Sequence, residues 1–163
     1  MDIFRFRKFP VYPPSQKTRL AGMNAKNFLL RRDSAPDEAR GEDTLSVSSG
    51  ELHILAREFR KELKTYSKEN FPKIERYILT EQLWRALDSV LLNIAEGSDH
   101  FSDVEFSKYL NISLTSLNEV VACLDCAFDD GYLDEEKWGY FINKAENIAR
   151  QLKAFSSKIR NSK

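Results

Sequence analysis

Cys123 and Cys126 are the residues of this chain best suited by type to redox or metal chemistry. A C-x-x-C pair can cycle through a disulfide or offer two thiolates to zinc. Zinc needs four ligands, and the only histidines, His53 and His100, stand at no recognised metal spacing. The pair also falls inside a helical periodicity, which does not favour a stable disulfide. The two thiols read as packing groups. A di-iron bundle would need Glu-x-x-His on a helix, and no Glu here has a His three residues later. There is no phosphate-binding glycine loop and no nucleophile motif. Asp129, Asp130, Asp134, Glu135 and Glu136 crowd one turn. Asp134, Glu135 and Glu136 begin a helix, where negative charge is favoured by the dipole. Asn93, Glu96 and Glu119 read as structural polar residues that cap or bridge helices. The expectation is a protein without catalytic site, metal or cofactor.

Binding chemistry is the alternative. The 163 residues carry 25 basic and 25 acidic side chains, so no global field attracts nucleic acid or an anionic membrane. The charge is unevenly placed, at +3 over residues 1–50 and −3 over the rest. Two basic patches could contact phosphates. One is C-terminal: Arg150, Lys153, Lys158, Arg160 and Lys163, with no acid after Glu146. The other is Arg5, Arg7 and Lys8 in an aromatic and basic segment over residues 3–12. Arg57, Lys61, Lys64 and Lys68 form a third stripe, but Glu58, Glu62 and Glu69 lie beside it and favour a solvated, salt-bridged face.

The elements that would position these residues are helices. Ser48, Thr80, Ser102 and Asp134 each look like an N-cap, flanked by apolar pairs at staple spacing: Val47/Leu52, Leu79/Trp84, Phe101/Phe106 and Leu133/Trp138. Glu51 and Glu105 would complete capping boxes with Ser48 and Ser102. Four starts predict helices over about 50–69, 81–96, 103–129 and 135–160. Gly97 and Gly131 stand where left-handed C-caps would end the second and third. Trp138, Phe141, Ala145, Ile148, Leu152, Phe155 and Ile159 alternate by three and four in the last helix. That repeat favours nearly parallel packing, and short connections make sequential helices antiparallel neighbours. The predicted fold is all-α, an antiparallel up-down four-helix bundle over residues 48–163. Residues 1–47 are expected to be a mostly irregular N-terminal extension, in which the aromatic and basic segment leads into a flexible insert over 13–46, rich in proline and polar residues, where a short helix over 24–32 is an option. The middle helices carry a second apolar stripe, Tyr77, Trp84, Leu91, Leu114, Val121 and Phe128. A lone bundle buries one face per helix, so these residues are the expected oligomer interface. The alternative is that the N-terminal segment folds over them.

Several stretches occur in order: Glu75-Arg76-Tyr77, Leu79-Thr80, Gln82-Leu83, Arg85-Ala86, Asn93-Ile94-Ala95-Glu96-Gly97, Glu105-Phe106, Tyr109-Leu110, Ser116-Leu117-x-Glu119 and Gly131-Tyr132-Leu133. Over about residues 50–160 the chain thereby resembles the bacterial four-helix-bundle family of proteins encoded in intervening sequences of 23S rRNA genes. That family also includes the accessory variability proteins of diversity-generating retroelements. The resemblance implies a homopentameric ring of antiparallel four-helix protomers, without catalysis. For the retroelement branch it implies binding to RNA and a reverse transcriptase. The chain departs from the pattern at Trp84, where the family often has a basic residue, and at Leu91, where it often has proline. About 35 residues from Pro13 onward also separate the family's lead-in from the first helix. The N-terminus has no apolar core of a secretory signal, and no apolar run is long enough to span a bilayer. A cytoplasmic protein with no membrane partner is expected.

Overall fold

A computed structural model describes residues 48–161 of the chain. Residues 1–47 lie outside the described residues, and with them Arg5, Arg7, Lys8 and the helix expected over 24–32. Lys163 lies outside them as well.

Four long helices form in chain order: α1 (Ser49–Asn70), α2 (Leu79–Ser98), α3 (Asp103–Asp129) and α4 (Glu135–Arg160). A 3-10 turn (Lys73–Tyr77) joins α1 to α2. The start of α1 follows from its sequence. The Ser48 backbone N–H donates to Glu51 Oε2 at 2.8 Å, and the Glu51 N–H donates to Ser48 Oγ at 3.3 Å, a complete capping box. At α4 the Lys137 N–H donates to Asp134 Oδ1 at 2.7 Å. Phe71 is extended before Pro72 and stops α1. Gly131, at φ 77°, closes α3 with the paired bonds of a Schellman motif. Tyr132 N–H reaches Ala127 O at 2.8 Å, and Gly131 N–H reaches Phe128 O at 3.0 Å.

Three expected signals act differently. The second helix begins at Leu79 with Ile78 at its cap position, and Thr80 is buried rather than capping. The preceding 3-10 turn already carries the chain into the helix and accounts for the early start. Ser102 occupies its cap position without a side-chain bond, and its expected partner Glu105 faces His100 Nδ1 at 3.2 Å instead. Phe101 is fully exposed, so no staple forms with Phe106. Gly97 is not a left-handed stop; it lies within α2. It is glycine because α3 approaches there. A Cβ added at Gly97 would stand 2.7 Å from Phe106 Cδ2 and 2.7 Å from Tyr109 Cβ.

The apolar stripes face inward and meet. Leu52, Leu63, Leu83, Ile94, Leu117, Leu124, Phe141 and Leu152 have essentially no exposed surface. Polar bonds set the antiparallel registers. Between α2 and α3, Ser89 and Ser116 hydroxyls pair at 2.8 Å, and Ser113 Oγ donates to Val90 O at 2.9 Å. Between α3 and α4, Ser107 and Ser156 hydroxyls pair at 2.8 Å, and Trp138 Nε1 donates to Asp125 at 2.9 Å. The packing is closest between α2 and α3 and loosest between α1 and α4. The described chain is thus an all-α, up-down, antiparallel four-helix bundle.

Candidate interaction surfaces

The outer seam of α2 and α3 is built from small hydroxyl side chains flanked by exposed apolar ones. Asn93 Nδ2 donates to Ser89 O at 2.7 Å and to Ser89 Oγ at 3.1 Å, while Ser89 pairs across the seam with Ser116. One helical turn further, Tyr109 OH donates to Glu96 at 3.0 Å. That bond to a carboxylate, with a smaller contribution from burial, raises the Tyr109 phenol above its usual pKa. At the other end Gln82 reaches Glu119 at 3.4 Å. Glu96 and Glu119 each accept a bond from the neighbouring helix, and Asn93 bonds within its own helix.

Leu92 and Ile112 sit at the same level of this seam, between the Ser89–Ser116 and Glu96–Tyr109 contacts, and are 63% and 48% exposed. Successive helical residues turn by about 100°, which places Leu92 opposite the buried Leu83 stripe. Nine large hydrophobic side chains are exposed among the described residues, and seven lie on α2 or α3 or in the segments that flank α2. Besides Leu92 and Ile112 they are Ile74, Tyr77 and Ile78 before α2, and Phe101 and Val104 after it.

The second apolar stripe expected at an interface is divided by the fold. Tyr77 is exposed. Val121 is 1% exposed and belongs to the protomer's own core, which corrects its assignment as an interface residue. Leu91, Leu114 and Phe128 are half-buried against the core. Trp84 is tied to α1: its Nε1 donates to Ser67 Oγ at 2.9 Å, and Lys64 lies over the ring, 5.3 Å from the centroid. A Glu at Val121 would place a charge in the protomer core rather than release a subunit. Leu92 and Ile112 were legible as apolar residues off the core stripe, but neither continues a stripe of large aliphatic residues at helical spacing on its own helix. Only the pairing of α2 with α3 makes them one patch.

Charged side chains on α1 are bound to other helices. Arg60 and Lys64 both bond Asp88 of α2, with Lys64 Nζ at 2.7 and 2.8 Å. Burial alone would raise the Asp88 carboxyl, but the two cations outweigh it and hold it below the usual carboxylate range. On the opposite flank Glu62 accepts from Tyr140 OH at 2.7 Å and pairs with Lys144. Partial burial opposes ionisation there too, and again the partners win, lowering Glu62 and raising Lys144.

Arg150, Lys153, Lys158 and Arg160 are all exposed on α4. Arg150, Lys153 and Arg160 share one stripe, and helical geometry turns Lys158 about 80° or more away from each of them. Arg150 also bonds Asn147 Oδ1 at 2.9 Å. The cysteines separate: Cys123 is buried and Cys126 exposed, so only the first packs in the interior. Burial, with the Glu119 charge nearby, pushes the Cys123 thiol up to about 12. Cys126 is raised as well, by burial and then by Asp130. Among the described residues no three His, Cys, Asp or Glu side chains are grouped to hold a metal ion. Nor is any described helix long and apolar enough to cross a membrane.

Comparison with known proteins identifies a family and a shared fold. The family model described as "23S rRNA-intervening sequence protein" matches residues 51–154. A crystal structure of a protein of unknown function from the S23 ribosomal protein family of Bacteroides thetaiotaomicron VPI-5482 superposes with a TM-score of 0.57. It is 21% identical, and the match covers 64% of this chain and 97% of that one, a likeness of fold. No curated protein matches the chain.

Proposed function

The chain belongs to the 23S rRNA-intervening sequence protein family, and from that premise we propose that it is a non-enzymatic, homo-oligomeric scaffold, a ring of five four-helix protomers. The observation that carries this reading is the pair of exposed apolar side chains on the α2–α3 seam, Leu92 and Ile112. Ile78 and Phe101 add exposed apolar side chains at the two ends of α2. Large apolar side chains gathered on one exposed face mark an interaction site. The Ser89–Ser116 seam adds small side chains that let another helix come close. A second copy offering the same kind of surface would remove both from water. The ring size rests on the family resemblance.

Leu92→Glu and Ile112→Glu test the reading. Both side chains are exposed in the protomer, so neither change should unfold it. Each should convert the oligomer to monomers, because a carboxylate would be buried without a partner in the contact. Light scattering and sedimentation report the mass, and circular dichroism reports the retained helices. A monomeric parent protein, or variants that keep the parent mass, would end the proposal.

A second reading is an RNA-binding accessory subunit of a retroelement reverse transcriptase. Its support is the exposed stripe of Arg150, Lys153 and Arg160 on α4. In a ring the stripe would repeat in every subunit, and phosphate contacts would multiply.

A further inference from the structure

The charges of α1 divide around the helix. Arg57, Arg60, Lys64 and Lys68 fall within about 80° of one another, and Glu51, Glu58, Glu62 and Glu69 within about 40° on the far side. The bonds of Arg60 and Lys64 to Asp88 turn the cations toward α2, and those of Glu62 to Tyr140 and Lys144 turn the acids toward α4. The glutamates expected to neutralise the basic stripe therefore lie on the opposite flank. Lys61 stands between the two sets, beside Glu58 and Glu62. Asp88 alone answers the cations at their own level on α2, since Glu81 lies beyond and pairs with Arg85 at 3.8 Å. Arg57 and Lys68 are exposed and make no ion pair among the described residues. Half-buried Trp84 and Leu91 give this α1–α2 face an apolar floor.

The α2–α3 seam has the opposite sign. Glu96, Glu105 and Glu119 lie along it against Lys108. Their partners are Tyr109, His100 and Gln82, and no Lys or Arg pairs with them among the described residues. An odd-numbered ring cannot be built from a surface that meets itself, so the seam must face a different surface of the next protomer. Contacts run in turn from α1 to α2, α3, α4 and back to α1, so the α1–α4 face lies opposite the seam. Opposite faces stack copies in line, whereas adjacent faces turn each copy and let the series close. Of the two adjacent faces, α3–α4 sets Arg150 and Lys153 against Asp125, Asp129 and Glu146, with no positive excess. The α1–α2 face has that excess.

The levels agree as well. Trp84 bonds Ser67 and Asp88 bonds Lys64, so Lys68 stands level with Gln82, the partner of Glu119. The same register places Arg57 within one turn of Glu96. A closed ring allows no rise between copies, and with the bundle axes along the ring axis none is needed.

We propose that the α2–α3 seam of each protomer seats on the α1–α2 face of the next copy. Leu92 and Ile112 cover Trp84 and Leu91, Glu119 meets Lys68, and Glu96 meets Arg57. The pairing rests on the homo-oligomeric reading above and names the surface that its seam contacts.

Charge reversal and cross-linking of the full chain test it. Lys68→Glu and Glu119→Lys should each raise the dissociation constant of the oligomer roughly tenfold or more, since like charges would be juxtaposed. Combined in one chain, they should return it to within about threefold of the parent. Both side chains are exposed, so helical circular dichroism should be kept. For placement, Lys68→Cys and Glu119→Cys are made in separate chains, each also carrying Cys126→Ser to remove the exposed native thiol. A short bismaleimide should link the two in an equal mixture and leave each alone unlinked. A monomeric parent ends the scaffold reading and this pairing with it. An oligomeric parent whose mixed cysteines do not link, or whose two reversals fail to compensate, overturns the pairing alone. Self-linking of an Ile112→Cys chain, also carrying Cys126→Ser, overturns it in favour of seam meeting seam. A reversal that loses its helices leaves the cross-links to decide.

Discussion

Replacing Gly97 with alanine should weaken the bundle, although alanine is the better helix former. The gain in intrinsic propensity is at most ~1 kcal/mol, and less near a helix end; α2 finishes one residue later, at Ser98. Against it stands the approach of α3. The new Cβ would meet Phe106 Cδ2 and Tyr109 Cβ at 2.7 Å each, and Phe106 Cε2 at 3.1 Å. Comfortable carbon contacts lie near ~3.5–4.0 Å, so the deficit is close to ~1 Å. The Phe106 ring can swing, at the expense of its edge-on contact with Phe155 at 5.4 Å. Tyr109 Cβ cannot, because it is fixed to the α3 backbone. The helices must part, and overpacking of this kind costs about 1–3 kcal/mol. The net loss is about 1–2 kcal/mol, a fall in Tm of roughly 4–8 °C for a domain this size. Gly139→Ala is the control: nothing lies within 4 Å of its added Cβ, and its φ is not left-handed. That change should stabilise by up to ~1 kcal/mol. Urea unfolding followed by helical circular dichroism measures both, with an unchanged denaturant slope showing that stability alone has moved. A Gly97→Ala protein as stable as the parent would refute the reasoning, since α2 and α3 would then have slack that their close approach denies.

Asp88 supplies a pH dependence with a definite sign. Its carboxyl is held below its unfolded value by Lys64 and Arg60. Its stabilisation is therefore complete above the usual carboxylate pKa and is lost as pH falls through the lower, folded value. Partly exposed ion pairs are worth about 0.2–1 kcal/mol, so Asp88→Asn should cost that much at neutral pH and nothing at strongly acid pH, by urea titration at each. The cysteines should differ under a thiol reagent: one modification per native chain, at Cys126, and two after denaturation, counted by mass spectrometry. Native modification of Cys123 would contradict its burial and its thiol held at about 12. For the RNA reading, replacing Arg150, Lys153 and Arg160 with Gln should lower the salt slope of binding to a structured RNA by roughly 0.7–0.9 for each phosphate that is no longer neutralised. Equal slopes for parent and variant would remove the stripe from consideration.

Helix number, order and extent were legible because their causes are local. An oxygen at Ser48 or Asp134 meets a backbone N–H three residues away, and Gly131 closes α3 through bonds spanning five residues. The core stripes were legible for a similar reason: a repeat of three and four has one inward face whatever it packs against. The signals that were misplaced are those whose meaning depends on another helix. Gly97 reads as a stop by itself and becomes a contact point only because Phe106 and Tyr109 arrive opposite it. Val121 and Trp84 share a stripe in sequence, yet one is enclosed and the other is drawn to Ser67 and Lys64 of α1. Asp88 carries no mark in the sequence of its two cationic partners, which stand 24 and 28 residues earlier. Leu92 and Ile112 become one surface through the α2–α3 register. Short-range geometry and periodicity thus determined the bundle from the sequence alone. Which apolar residues remained outside it was decided by long-range packing, because burial depends on what a neighbouring helix covers and not on the residue's own type.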